Sequence, residues 1–400
     1  MTGITDDEAE SVFSMTALKR DVADRMIENV IGAIQLPLGV ATNFLINEKE
    51  YAVPMAIEEP SVIAASSNAA KMARAKGGFH AVATRPLMVA QIQSVGVADP
   101  YAAVHKVLAH ADKILEICNG TNPTLVKVGG GAVDLDARVI DTSRGKMVIT
   151  EITVDCRDAM GANTANTMAE TVAPLIESLI GGRVRLRILS NLATKRLARS
   201  WATFGKEDLG GPDVVEGILD AYAFAEADPF RCTTHNKGIM NGISSVALAT
   251  GNDTRAIESG AHAYAARSGH YSSLTKYEKN ADGDIVGSIE LPIASGILGG
   301  ATSTHPVAKA AIKMLGVKTA QELACVMASA GLAQNLAALR VLATEGISRG
   351  HMKLHARNLA VMAGAPVDMI PRVVEEIEKE PRVTYDKVVE IVKRLKSGTA

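Results

Sequence analysis

Apolar and polar positions alternate along Leu87 to Val97 and again along Met147 to Val154. That period of two predicts strands with one buried face. Thr124 to Val128 and Ala132 to Ile140 read as strand on either side of Gly129-Gly130-Gly131, and Val184 to Leu189 reads as a last strand. Between them, Asp99 to Ile117 and Thr164 to Ile180 have the apolar spacing of helices. Asp99 can cap the first, Pro100 suits its first turn, and Asn119-Gly120 ends it, while Gly181-Gly182 closes the second. The order is β-α-β-β-α-β, the split βαβ or ferredoxin-like arrangement. It predicts a small unit, residues 86–191, inserted into a larger chain.

The flanking sequence is richer in helix. Residues 6–28 read as one helix. Ile31 to Ile46 is apolar, but Pro37 and Gly39 make it strand or loop. A short strand at 51–57 leads to an alanine-rich helix that starts near Pro60 and stops at Gly77-Gly78. After residue 192, helices are expected at 213–227, 254–268, 306–315, 318–329 and 332–344. Tyr271 to Thr275 and Ile285 to Leu291 are expected strands, with Asn280-Ala281-Asp282-Gly283 as a hairpin turn. Two amphipathic helices, 368–379 and 384–396, close the chain.

Composition narrows the function classes. The net charge of −2 and an aromatic content of 4% argue against a nucleic-acid partner. Cys118, Cys156, Cys232 and Cys325 form no CxxC pair, so neither a zinc knuckle nor a disulfide framework is indicated. The N-terminus is acidic and lacks an apolar signal region, and no run approaches the roughly 20 apolar residues of a membrane span. A cytoplasmic setting is expected. No GxGxxG follows a strand and no GxxxxGK[ST] loop is present.

Chemistry concentrates in Arg231-Cys232-Thr233-Thr234-His235-Asn236-Lys237-Gly238-Ile239-Met240-Asn241-Gly242. Lys237 and Asn241 would share one face of a helix. With Asp253 in the turn Gly251-Asn252-Asp253, a cation, amides and an acid suit stabilisation of a developing oxyanion. Taken alone, a polar surface loop explains the same residues. Glu59 stands at a strand-to-helix junction, where a helix start would favour its ionised form and a neighbouring carboxylate would favour the proton. Asp158-Ala159-Met160-Gly161-Ala162-Asn163 opens a helix with small residues, which lets a phosphate approach free N–H groups. His351 and His355 are four apart but lack the glutamate of HExxH, so zinc is not expected.

Several blocks together resemble the hydroxymethylglutaryl-CoA (HMG-CoA) reductase family. They are Glu28-Asn29-Val30-Ile31-Gly32, Glu58-Glu59-Pro60-Ser61, Asp158 to Asn163, Thr234 to Gly242, Gly251-Asn252-Asp253 and Gly350-His351-Met352. The Glu-Glu-Pro-Ser form is similar to the class II, bacterial and archaeal type. The resemblance implies an α+β fold: a large HMG-CoA-binding and dimerisation domain (1–85 and 192–347), a small inserted NAD(P)-binding domain (86–191) and a C-terminal flap (348–400). It implies four-electron reduction of the HMG-CoA thioester to mevalonate and CoA with two NADPH or NADH. Lys237 would stabilise the oxyanion, Glu59 donate a proton to the aldehyde, Asp253 tune both, and His351 protonate the CoA thiolate. Ser61 and Arg231 would hold the HMG carboxylate, with Asn241 beside the lysine. Asp158, Met160, Gly161, Ala162 and Asn163 would bind the dinucleotide. Asn191 and Gln334 are further pocket candidates, while His235 and His355 have no assigned role. At Asn122, a place where NAD-preferring members carry an acid, the lost charge leans the cofactor toward NADPH, with Lys127 or Arg138 as contacts. The resemblance also implies a homodimer, or an oligomer of dimers, with sites between subunits. A CoA-thioester enzyme that uses Lys237 as a Schiff base is the alternative, and a catalytically silent binding protein is a third reading.

Overall fold

The computed structural model describes residues 3–15, 18–344, 356–357, 359–380 and 384–397. The chain begins with Asp6–Phe13 (α1) and Arg20–Ala23 (α2), so the single helix expected over 6–28 is broken. A capping box between Thr5 and Glu8 starts α1. It stops where Met15 adopts φ 54°, a conformation that cannot continue a helix, and α1 buries no residue that would favour extension.

Leu38–Ile46 (β1) and Lys49–Ala56 (β2) form a hairpin, followed by Val62–Arg74 (α3) and Phe79–Ala83 (β3). The next unit runs Leu87–Val95 (β4), Pro100–Ala109 (α4), Ala111–Gly120 (α5), Pro123–Lys127 (α6), Gly131–Thr142 (β5), Gly145–Asp155 (β6), Ala162–Ile180 (α7) and Arg183–Leu189 (β7). Its sheet has the order β5-β6-β4-β7 with every neighbour antiparallel, as the βαββαβ reading requires. Two expectations fail within it. Residues 124–127 are helix rather than strand, because Asn122 Oδ1 caps that turn by accepting from Leu125 N (3.0 Å) and Pro123 takes its first position. The helix expected over 99–117 is interrupted at His110, whose φ of −109° and ψ of 15° end α4 and begin α5.

The chain then forms Leu197–Phe204 (β8), Lys206–Leu209 (α8), Pro212–Ala227 (α9), Pro229–Ala249 (α10) and Thr254–Ala265 (α11). Thr275–Lys279 (β9) and Ile285–Pro292 (β10) make a hairpin, and Gly300–Thr304 (α12), Pro306–Leu315 (α13) and Ala320–Ala343 (α14) follow. The sheet order is β2-β1-β3-β8-β10-β9. The strand expected at 271–275 starts only at Thr275, because Ser272 and Leu274 are tied to neighbouring helices. Strands β3 and β8 carry no strong alternation. The buried face of β8 is Ala198, Ser200, Ala202 and Phe204, mostly small residues with little hydrophobic contrast.

Helix α14 is the axis of the large core. The sequence suggests two helices and no membrane-length apolar run, yet residues 320–343 form one continuous helix of 24 residues, apolar enough by length and composition to cross a bilayer. Most of it is buried among the surrounding elements, which accounts for its composition. Ile370–Glu378 (α15) and Tyr385–Lys396 (α16) end the fold and share their own small core around Val373, Ile377, Val388 and Ile391.

Candidate active site

The polar stretch 231–242 is helix, not loop. It lies in α10, started by Asp228, whose carboxylate accepts from Arg231 N at 2.7 Å, with Pro229 in the first turn. The inner face of α10 is locked. His235 Nε2 lies 2.7 Å from Thr275 Oγ1 and 2.9 Å from Ser273 Oγ. Asn335 Nδ2 reaches His235 Nδ1 at 3.4 Å, so Nδ1 accepts and the ring proton belongs on Nε2. Burial, aided by Arg231, pushes the His235 pKa down to about 3. Asn236 holds Ser272 O (2.9 Å) and Leu274 N (3.1 Å). His235 is thus a buried scaffold residue.

The outer face meets Glu59. Lys237 Nζ lies 2.5 Å from Glu59 Oε2, and Asn241 Nδ2 donates to the same oxygen at 3.2 Å. The Lys237 side chain is 58% exposed and that of Glu59 34%. An ion pair so open contributes about 0–1 kcal/mol to stability, so the fold has little need of it. Next to it, Ser61 precedes α3 at φ 73°, a strained conformation for a side chain other than glycine. Its Oγ is buried, caps nothing and has no hydrogen-bond partner among the described residues. The Arg231 guanidinium is partly buried, which lowers its pKa, and it has no carboxylate partner among the described residues. A donor hydroxyl and an unpaired guanidinium suit a carboxylate ligand.

Asp253 is placed differently from the expectation. Its Oδ1 caps α11, accepting from Arg255 N (3.0 Å) and Ala256 N (3.1 Å), and the Arg255 guanidinium lies 3.3 Å away. No bond to Lys237 or Glu59 is formed among the described residues. His351 and His355 lie outside the described residues.

The segment 158–163 runs from the loop after β6 into the first turn of α7. Gly161 has φ 101°, and a Cβ there would fall 2.1 Å from Cys156 Sγ, so only glycine fits. No side chain caps α7, which leaves its first N–H groups open. Met160 and Ala162 are partly exposed and Asn163 is exposed. The Asp158 carboxylate is already used: its Oδ1 accepts from Ala320 N at 2.9 Å, in the first turn of α14, whose own cap is Thr319. Of the specificity candidates, Asn122 caps α6 and Arg138 pairs with Glu151 at 3.0 Å. Gln334 is a core residue that accepts from Ser66 Oγ at 2.8 Å. Arg196, missed in the sequence, is buried beneath the 158–163 loop and donates to the carbonyls of Ala159 (3.2 Å), Met160 (2.8 Å) and Ser295. Standing beside Lys195 in a polar turn, it carries no local signal of burial.

Fold and site together define an α+β enzyme in which a lysine, an acid and an amide converge on one open site, while the helix start at Gly161 is left without a side-chain cap. The model of the family Hydroxymethylglutaryl-coenzyme A reductase matches residues 1–356, and the chain belongs to that family of oxidoreductases. It is 59% identical over 395 residues to the 3-hydroxy-3-methylglutaryl-coenzyme A reductase of Archaeoglobus fulgidus, covering 99% of this chain and 90% of that one. It is 33% identical to a probable reductase of the same name from Borreliella burgdorferi, over 94% and 88% of the two chains. The class II enzyme from Streptococcus pneumoniae, solved bound to NADPH in open conformations, superposes with a TM-score of 0.83 at 38% identity, over 98% of this chain and 96% of that one.

Proposed function

We propose that this chain reduces the HMG-CoA thioester to mevalonate and CoA, consuming two NAD(P)H and two protons. The convergence of Lys237 and Asn241 on Glu59 carries the reading. When bound, the nicotinamide supplies hydride to the carbonyl carbon, first of the thioester and then of the aldehyde. Lys237 offers an ammonium to the oxygen that gains charge in each step. Glu59, in contact with Lys237, takes up one of the two protons consumed and delivers it to the aldehyde oxygen, giving the alcohol. His351 protonates the departing CoA thiolate. Asp253 acts on the lysine after leaving its cap, or through the turn that it anchors. Ser61 and Arg231 bind the free carboxylate of the HMG group.

The helix start at Gly161 fits a dinucleotide phosphate, with Met160, Ala162 and Asn163 around it and Asp158 shaping the loop from behind. NADPH is the favoured cofactor, in line with the NADPH-bound pneumococcal relative. The division into 1–85 with 192–347, 86–191 and 348–400 is the proposed domain plan, supported by two sheets with separate cores. A second copy is the proposed partner. In the extended segment before β1, Ile31 and Ile34 are almost fully exposed, a poor arrangement for a lone chain in water. A cytoplasmic location completes the reading.

The test is NADPH and NADH oxidation by the purified protein with HMG-CoA. The expected result is two cofactors oxidised per CoA released; no oxidation by a folded dimer overturns the proposal. His351→Ala should impair thioester reduction more than reduction of supplied mevaldehyde, and equal losses would remove the thiolate role. The Schiff-base alternative requires a free amine, which an ammonium paired with Glu59 is not. A borohydride-trapped adduct on Lys237 would reverse that choice.

A further inference from the structure

We infer that Arg196 and Asn252 are positioning residues that hold the 158–163 loop in register with the carboxylate turn 251–253, through the strap formed by residues 293–298. The inference rests on the proposed function and names how its two halves are held together.

Arg196 is 4% exposed. A guanidinium that deep normally sits against a carboxylate. Here its hydrogen bonds go to three backbone carbonyls: Ala159 and Met160 in the loop and Ser295 in the strap. The planar fork thus ties two irregular segments at once. Loop and strap touch directly where residues 158–160 meet 296–298. Ile297 N and Leu298 N both donate to Asp158 O, at 2.9 and 3.3 Å, and Ala159 bridges to Leu298 as in a parallel sheet. A Cβ on Gly296 would lie 2.5 Å from Met160 N, so the backbones are in direct contact.

The other edge of the strap is held by the neighbour of Asp253. Gly296 N donates to Asn252 Oδ1 at 2.7 Å, while Asn252 Nδ2 donates to Thr250 Oγ1 at 3.0 Å. Thr302 Oγ1 adds a bond to Thr250 O at 3.0 Å. A path of hydrogen bonds joined by the Ser295–Gly296 peptide link therefore runs from Met160 through Arg196 to Asn252. A two-hydride reaction needs one donor position to serve two successive carbonyls, and a displacement of about 1 Å can reduce turnover by roughly 10²-fold.

The experiment uses full-length Arg196→Gln, Arg196→Lys and Asn252→Ala. Kd for NADPH is read by nicotinamide fluorescence, alongside kcat and the KM of each substrate. In Arg196→Gln, Kd and KM for NADPH should rise about tenfold and kcat fall by about 10²-fold, while the KM for HMG-CoA stays within about twofold. Arg196→Lys should recover part of the NADPH affinity, since an ammonium can keep some of the carbonyl bonds. Asn252→Ala should lower kcat by about tenfold with Kd for NADPH unchanged. A purely structural role would reduce active protein and kcat without moving Kd. Unchanged NADPH affinity in a folded Arg196→Gln overturns the inference. If that variant does not fold, unchanged affinity together with unchanged kcat in both Arg196→Lys and Asn252→Ala does so. Wild-type protein that binds NADPH but does not oxidise it with HMG-CoA sinks the proposed function instead, and the binding arm still tests Arg196.

Discussion

Two faces of α10 carry polar residues that are neighbours in sequence and opposite in physical character. On the inner face His235 and Asn236 are buried, and each is bonded to the 272–275 segment. On the outer face Lys237 and Asn241 converge on Glu59 in a setting open to solvent. The inner set exchanges water for fixed partners and orders the surrounding chain. The outer set adds little stability and is reachable by a ligand. A polar residue matched to every partner belongs to the scaffold, while one at an open junction, beside a Ser61 hydroxyl with no partner among the described residues, is a candidate for chemistry.

The largest expected effect separates these faces. Lys237→Ala should reduce kcat for thioester reduction by about 10³-fold or more, as removal of an oxyanion-stabilising group does. Its thermal midpoint should stay within about 2 °C of wild type, because an exposed ion pair contributes at most about 1 kcal/mol. Turnover near wild type would remove Lys237 from the chemistry, and a collapse of the midpoint would make it scaffold like its neighbour.

The inner face should show itself through pH. His235 is neutral in the fold, with its pKa pushed to about 3 by burial and by Arg231, against about 6.5 in an unfolded chain. Above pH 6.5 neither state takes the proton, and stability does not depend on this residue. As pH falls from 6.5 toward 3 only the unfolded state takes it, so stability is lost on acidification. Between pH 7 and 5 the loss should be roughly 2 kcal/mol, measured from urea midpoints. His305, also lowered by burial, contributes in the same window. The difference between wild type and His235→Gln isolates the effect, and equal slopes in the two proteins would contradict it.

The contrast also shows what could be read from sequence. The βαββαβ unit was legible because its strands alternate and its helices carry Asp99, Pro100 and Gly181 at their ends. Of the motif residues, Glu59, Lys237 and Asn241 meet in the fold. What stayed hidden has no local periodicity. The core-facing positions of β8 are mostly small, α14 reads as two helices until α10 is packed against it, and Arg196 looks like any surface arginine. The bond pattern of Asp253 was equally hidden, because a helix cap and a lysine partner make the same demand on sequence: an acid in a turn.

The smallest expected effect concerns two glycines of α10 that look alike in sequence. Around Gly238 an added Cβ meets nothing within 4 Å, whereas at Gly242 it would lie 2.6 Å from Ala330 O and 3.1 Å from Gln334 Cβ. Alanine favours helix over glycine by about 0.8–1.0 kcal/mol. Gly238→Ala should therefore raise stability by up to about 1 kcal/mol. Gly242→Ala gains the same propensity but forces α10 away from the backbone of α14, which overpacking costs about 1–3 kcal/mol. The net effect should be a loss of about 0–2 kcal/mol. Chemical denaturation of the two variants reads the difference directly. Opposite signs place the close helix contact at Gly242 alone. Equal stabilisation would mean that α14 yields at Ala330, and a comparable loss at Gly238 would mean that the outer face of α10 is packed in solution, with Lys237 less open than its 58% exposure indicates.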